Sequence, residues 1–281
     1  MHTILSDFSV LTLARAIKAN WADYYTYLGR SPSAELSVGP YLTWLLTGIP
    51  DSFLNVVLRT QLPSDRAGEI IDETLAHFRA KQVQRLSWWA ETDTPSMDLD
   101  THLVTHGLTF DAGGTGMAAD LMALNEDLST PAGLTIMPVA DQATLQQWSH
   151  VTRIGFGIPE HCERRLFDLF AGLGFEMPVR SYLAVVNGQP VGTSQLFLSA
   201  GVAGIYQVTC LPAARQKGIG AAITLAPLLE ARRMGYRISI LQASPLGYNV
   251  YRRLGFQSYG KLNSYLWQSE TQPPHSEGNG A

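Results

Sequence analysis

Arg215, Gly218 and Gly220 stand at the spacing R-x-x-G-x-G inside "VTCLPAARQKGIGAAITLAPLLEARRMGY", Val208 to Tyr236. An apolar, strand-like run ends at Pro212, which has no N–H to offer a neighbouring strand, and a long helical pattern opens where the glycines fall. Glycines let backbone come close to a ligand, and the first N–H groups of a helix lack intrahelical partners and carry the positive end of its dipole. The chemistry this supports is anion binding, to which Arg215 and Lys217 add charge. A P-loop needs Gly-Lys-Ser/Thr after a longer glycine spacing, and a dinucleotide loop needs G-x-G-x-x-G on a parallel sheet; "RQKGIGAA" supplies neither. A strand-to-helix corner that binds nothing is the other reading open to the motif alone.

The remaining candidates for chemistry are fewer. Cys162 and Cys210 are the only cysteines. Two in a chain of this size make no disulfide framework, and no histidine follows Cys210 in a Cys-His arrangement, so it reads as a small buried strand residue. Glu160, His161, Glu163 and His150 lie in a helical stretch, where each reads as either an exposed helix residue or a base. Trp88 and Trp89 read as core, or as the lining of a pocket between the halves.

The elements that must position these residues follow from periodicity and turn chemistry. "SVLTLARAIKANWADYYTYLG" is helical and stops at Gly29; "YLTWLLTG" and "SFLNVVLRT" form a hairpin around Pro50, Asp51 and Ser52. Ser64 and Asp65 are expected to cap a helix running to about Lys81, before the strand "RLSWWA", a helix over "MDLDTHLVTHG" and the strand "TGMAADLMAL". "NEDLSTPAG" has no periodicity and reads as a linker. Beyond it come the strand "LTIMPV", a helix from Asp141 through Trp148, and a second helix over "PEHCERRLFDLFAGLG". An antiparallel meander of "SYLAVV", "VGTSQLFLS" and "VAGIYQVTCLP" then leads into the motif. After the motif's helix the pattern gives "RISILQAS", a helix around "GYNVYRRLG", and two strands, "FQSYG" and "NSYLW". The two halves repeat the order strand, short helix ending in glycine, aromatic strand ("RLSWWA" and "DTHLVTHGLTF"; "RISILQA" and "GYNVYRRLGFQ"), which suggests a tandem duplication.

Composition narrows the class. Of 281 residues, 46% are apolar and 16% charged, so the chain is globular and long enough for two domains. A net charge of −4 with thinly spread Lys and Arg gives no basic face for a phosphate backbone, which argues against nucleic acid as a partner. "MHTILSDFSV" lacks the features of a signal peptide, and no apolar run approaches a membrane span; a cytoplasmic protein without a membrane partner is the expectation.

Taken together, the meander, the R-x-x-G-x-G helix start, the "ILQAS" strand and the "VYRRLGF" helix end, in that order over Leu134 to Trp267, resemble the GNAT superfamily of acetyl-CoA-dependent N-acetyltransferases. The resemblance implies an α/β (α+β) chain of two GNAT-like domains, each a mixed, mostly antiparallel sheet flanked by helices. These would be a degenerate copy over 1–125, a linker over 126–133, an acetyl-CoA-binding catalytic domain over 134–268 and a flexible tail over 269–281. It implies that the amides of Gln216, Lys217, Gly218, Ile219, Gly220 and Ala221 hold the coenzyme's pyrophosphate beside Arg215. The strand at Val208, Thr209 and Cys210 would pair with pantetheine and supply an oxyanion-binding N–H. Tyr251 falls where many members place a tyrosine general acid, its other reading being a packed core tyrosine. Ser244 stands where many carry a cofactor-binding asparagine, and its hydroxyl can still make one hydrogen bond. The first half reads "RTQLPSDRAGEI" at the corresponding junction and lacks the motif, so one coenzyme per chain is expected.

The expected function is transfer of an acetyl group from acetyl-CoA to an amine of a small molecule or peptide by direct attack, with Tyr251 as acid, Glu160 as the first candidate base, no metal, and a monomer or homodimer as the working unit. The rival is an acyl-CoA-binding module or sensor without catalysis; a structural protein with both halves degenerate is a third reading.

Overall fold

The computed structural model describes residues 3–90 and 99–269, and of Ala112 the backbone only. The first half runs α1 (Val10–Leu28), β1 (Glu35–Val38), β2 (Thr43–Leu46), β3 (Val56–Leu58), α2 (Ala67–Ala80), β4 (Arg85–Ala90), α3 (Leu99–Thr105) and β5 (Thr109–Asp120). The second half runs β6 (Leu134–Pro138), α4 (Gln142–Phe156), α5 (Glu163–Ala171), β7 (Val179–Val186), β8 (Gln189–Ser199), β9 (Val202–Cys210), α6 (Ile219–Arg233), β10 (Ile238–Ala243), α7 (Tyr248–Leu254) and β11 (Gln257–Gln268).

Most elements fall where periodicity puts them, and the exceptions have local causes. The four-residue β1 is too short to give an alternation signal. Helix α2 begins at Ala67 without a side-chain cap; "PSDR" is instead a turn in which Arg66 N–H donates to Pro63 O at 3.1 Å, so Ser64 and Asp65 are not its caps. Asp141 does cap α4, its Oδ1 accepting from Thr144 N–H at 2.8 Å, but the helix continues past Trp148 to Phe156 and stops at Gly157 in the left-handed region. "FQSYG" and "NSYLW" are one strand, β11, with irregular register after Ser258 and after Leu262. Met97 and Asp98 of the expected third helix, and the tail from residue 270, lie outside the described residues.

Among the described residues, eleven strands form a single sheet in the order β1-β2-β3-β4-β11-β5-β10-β9-β8-β7-β6, antiparallel except for the pairs β3–β4 and β9–β10. The fold is therefore mixed α/β with a largely antiparallel sheet. The halves of the chain nevertheless exchange strands. β11, the last element, lies between β4 and β5, and β5 of the first half pairs with β10 of the second. Burial explains the exchange: Tyr265 and Trp267 of β11 complete the core that Trp88, Ile71, Leu75 and Phe78 build beneath α2 and α3. One face of the second half is covered by α6 and α7 through Ile219, Ile223, Leu228, Tyr251 and Leu254. The opposite face carries a core shared by both halves, in which Leu13, Ile17, Trp21 and Tyr24 of α1 join Trp148, Val151, Leu166 and Phe170 of α4 and α5.

Candidate functional site

Strands β9 and β10 are paired only over Ala203–Gly204 and Ser239–Ile240, yet β9 continues to Cys210 and β10 to Ala243. Beyond the paired residues the strands part. The cause lies on the other edge of β9: between the pairs Thr193↔Thr209 and Gln195↔Tyr206 it carries one residue more than β8, and Gln207 sits there at φ 50°. Such a bulge bends a strand away from its neighbour, and here it leaves Val208 and Thr209 half-buried along the opening. Val208 and Cys210 pack toward α6. Thr209 lies against the last turn of α4, where a Cβ on Gly155 would come within 2.3 Å of its hydroxyl.

The opening leads to the start of α6. A short 3₁₀ turn, Pro212–Ala214, is followed by Gln216 at φ 61° and by Gly218, the cap, at φ 80°. A Cβ on Gly218 would stand 2.0 Å from Ser129 O, so the position is glycine by space as well as by dihedral. At Gly220 a Cβ would meet nothing within 4 Å. The first backbone bond of the helix runs from Ala222 N–H to Gly218 O at 3.1 Å, and the amides of Gln216, Lys217, Gly218, Ile219, Gly220 and Ala221 donate to no backbone carbonyl among the described residues. That array fits an anion such as a pyrophosphate. The basic side chains also hold the backbone of the loop. Arg215 donates to Cys210 O (3.2 Å) and Gly155 O (3.1 Å), bracing the loop against β9 and α4, while Lys217 Nζ donates to Ala213 O (2.9 Å). Pro227 inside α6 removes the donor that Ile223 O would have received; the Ser194 hydroxyl donates to that carbonyl at 2.7 Å and ties the helix to β8.

Tyr251 of α7 is buried, its hydroxyl makes no hydrogen bond among the described residues, and burial, helped by the neighbouring Cys210, raises its pKa. It is protonated at neutral pH, the state a proton donor needs. Burial also pushes the Cys210 thiol up to about 11, so a thiolate is not available and the residue is a packed one. Ser244 is exposed at the end of β10, where its Oγ accepts from Gly247 N–H at 3.3 Å and its carbonyl receives Tyr248 N–H at 3.0 Å, organising the start of α7. Glu160 is exposed in a short turn before α5 and has no side-chain partner among the described residues. The engaged carboxylate is Glu163, contacted by Arg153 Nε at 2.6 Å and His150 Nδ1 at 3.0 Å. Burial pushes Glu163 up, but these hydrogen bonds outweigh it and hold the carboxyl below its usual range.

Sequence patterns gave no signal for three polar side chains on the α1 side of the opening. Gln207 Nε2 donates to Tyr24 Oη at 3.2 Å, and Gln242 of β10 has a buried Nε2 beside the Tyr206 hydroxyl. Among the described residues no group of three or more His, Cys, Asp or Glu could hold a metal ion, and no helix is long and apolar enough to cross a membrane.

Residues 145–256 match the model of the acetyltransferase (GNAT) family. No curated protein matches the chain. Among solved structures, the fold is similar to a GCN5-related N-acetyltransferase from Kribbella flavida, at 20% identity and a TM-score of 0.65, covering 90% of this chain and 96% of that one. It is also similar to a GCN5-related N-acetyltransferase from Sphaerobacter thermophilus (16% identity, TM-score 0.58, 97% and 96% covered). A tandem GNAT protein from the clavulanic acid biosynthesis pathway is similar at 16% identity and a TM-score of 0.56, with 97% and 99% covered. The parted strands, the open helix start and the matched segment agree: residues 145–256 belong to the GNAT acetyltransferase family, and the chain around them shares the fold of these acetyltransferases.

Proposed function

We propose that the chain is an N-acetyltransferase that moves the acetyl group of acetyl-CoA to an amine of a small molecule or peptide by direct attack, and that it uses one coenzyme. The observation that carries this reading is the gap between β9 and β10 ending at a helix start whose amides are unpaired and whose Gly220 faces open space. Acetyl-CoA, when bound, supplies a thioester carbonyl open to nucleophilic attack. The amides of Gln216 to Ala221 hold its pyrophosphate, Val208 to Cys210 lie along the pantetheine, and a backbone N–H of that strand faces the oxygen on which negative charge develops. Ser244 adds a hydroxyl at the far end of the opening. As the carbon–nitrogen bond forms and the carbon–sulfur bond breaks, the amine gives up one proton, passed through water to Glu160, and the departing sulfur receives one from Tyr251. The products are an amide and the free thiol.

Calorimetry with acetyl-CoA followed by thiol release across an amine panel tests this. Turnover that falls at least about tenfold in Tyr251→Phe, with acetyl-CoA affinity unchanged, is the expected result. An unaltered pH-rate profile in that variant removes Tyr251 from the mechanism, and tight binding without turnover on any amine marks the chain as an acyl-CoA sensor.

A further inference from the structure

The peptide that joins Gln207 to Val208 is held by its carbonyl. Thr193 Oγ1 of β8 donates to Gln207 O at 3.0 Å, and Thr152 Oγ1 of α4 donates to Thr193 Oγ1 at 3.4 Å. Both threonines are fully buried, and each hydroxyl has one proton, so the two bonds run in one direction, from α4 through β8 to the bulge. In a trans peptide the N–H lies in the plane of the C=O and opposite to it. With the Gln207 carbonyl turned to Thr193, Val208 N–H points away from β8, to the side on which β10 parts from β9. Val208 has no place in the register of β8 with β9, and the pairing of β9 with β10 ends at Gly204, so neither ladder takes that N–H.

The side chain of Gln207 is held as well. Its Nε2 donates to Tyr24 Oη at 3.2 Å, Tyr24 Oη donates to Gln195 Oε1 at 2.7 Å, and Gln195 Nε2 donates to Ser181 Oγ at 2.9 Å, a polar line across the α1 face of the sheet. Gln207 stands at φ 50°, a region that a residue with a side chain keeps only where its surroundings impose it, and here side chain and carbonyl are pinned together. The last turns of α4 reach further along the same strand. Gly155 lies against Thr209, and its carbonyl receives Arg215, which also donates to Cys210 O. Helix α4 thus fixes the backbone of β9 at the bulge and after it.

We infer that Thr193, supported by Thr152, is a positioning residue that aims Val208 N–H at the thioester oxygen of acetyl-CoA. This rests on the N-acetyltransferase reading and narrows it to one amide, since Thr209 and Cys210 are back in register with β8. As the amine nitrogen bonds to the carbonyl carbon, the π pair moves onto the oxygen, where Val208 N–H meets it. The pair returns as the carbon–sulfur bond breaks and its electrons leave with the sulfur. A donor already aimed costs no reorientation at that moment, which is what an anchored carbonyl secures. Without the Thr193 hydroxyl the same peptide is free to swing its carbonyl toward the opening and set a partial negative charge against the developing one.

The test compares the full chain with Thr193→Val, which keeps the shape and removes the donor, with Thr193→Ser, which keeps the donor, and with Thr152→Val. Three quantities are measured: kcat, acetyl-CoA affinity by calorimetry, and the carbonyl stretch of bound acetyl-CoA labelled with carbon-13 at the thioester, by difference infrared spectroscopy. In the wild type the band lies below that of free acetyl-CoA. Thr193→Val is expected to lower kcat about tenfold or more, to leave acetyl-CoA affinity within about threefold, and to return the band toward the free value. Thr193→Ser restores most of both, and Thr152→Val shifts both in the same direction by less. Wild-type kcat and band in Thr193→Val, or in Thr152→Val should the first variant fail to fold, overturn the inference while the enzyme reading stands. So does a loss of kcat with an unmoved band that Thr193→Ser does not restore, which marks Thr193 as packing only. A wild-type chain that binds acetyl-CoA but acetylates no amine overturns the enzyme reading, and an unshifted band in that chain overturns the inference with it.

Discussion

The sheet contains two places where parallel strands meet at a strand-to-helix junction, and only one is open. In the second half the pairing of β9 and β10 ends at Gly204 and Ile240, and the space beyond is bordered by Val208, Thr209 and the start of α6. In the first half β3 and β4 are paired over Val56–Val57 and Ser87–Trp88, an equally short contact, but the space beyond is filled. Trp88 is fully buried and its indole N–H donates to Thr60 Oγ1 at 3.0 Å. Asn55 adds a staple, its Nδ2 donating to Arg85 O at 3.0 Å. The helix starts differ in the same sense. Gly68 and Gly220 are each the second residue of their helix, but a Cβ on Gly68 would touch the His106 ring at 3.4 Å where one on Gly220 meets nothing. Even the irregular backbone recurs, with Arg59 at φ 53° just past β3 and Gln207 at φ 50° in β9. Arg59, however, is turned outward to an ion pair with Asp23 at 2.6 Å. The same local scheme thus yields an opening at one junction and, at the other, a junction beside a fully buried tryptophan.

The most disruptive way to probe this difference is to empty the filled side. Trp88→Ala is expected to cost about 3–5 kcal/mol of stability, as large-to-small changes in cores do, and to leave the acetyl-CoA stoichiometry at one per chain; denaturant unfolding and calorimetry read the two quantities. A second bound coenzyme would show that the tryptophan alone separates the sites. A smaller effect comes from the two glycines of the open side. Gly220→Ala should leave the melting temperature unchanged or slightly raised, since alanine favours a helix, while weakening acetyl-CoA about tenfold by placing a methyl on the face proposed to meet phosphate. Gly218→Ala should instead lower stability by about 1–3 kcal/mol, because its φ is left-handed and Ser129 O blocks the added carbon. Unchanged affinity in Gly220→Ala would detach the open face from anion binding. The smallest effect concerns Cys210. Its thiol is raised by burial to about 11 from an ordinary 9.0, so the fold favours the protonated form. That contribution to stability is complete below pH 9 and fades as pH rises toward 11. Native Cys210 should resist thiol-labelling at pH 8, and rapid labelling there would mean that the opening reaches the sulfur.

The fold was legible wherever one element's own pattern decided it. The 3.6-residue periodicity of α1, the glycine-turned meander of β7 to β9, and Pro212 followed by Gly218 and Gly220 placed the candidate site on its strand and its helix start, because strand termination, left-handed φ and unpaired first-turn amides are local properties. The bulge at Gln207 was not legible, since an extra residue on one strand is defined only against its partner. Nor was the position of β11, whose Tyr265 and Trp267 read as ordinary apolar strand residues until the core beneath α2 showed which half they complete. The polar line from Ser181 through Gln195 and Tyr24 to Gln207 joins residues up to 183 positions apart. The sequence by itself determined where the glycine-bearing helix start lies and that only one of the two strand-to-helix junctions carries R-x-x-G-x-G. Tertiary structure decided that Arg215 braces the loop, that Trp88 is buried beside the other junction, and that α1 faces the opening, because each depends on which distant backbone or side chain comes within hydrogen-bond or van der Waals reach.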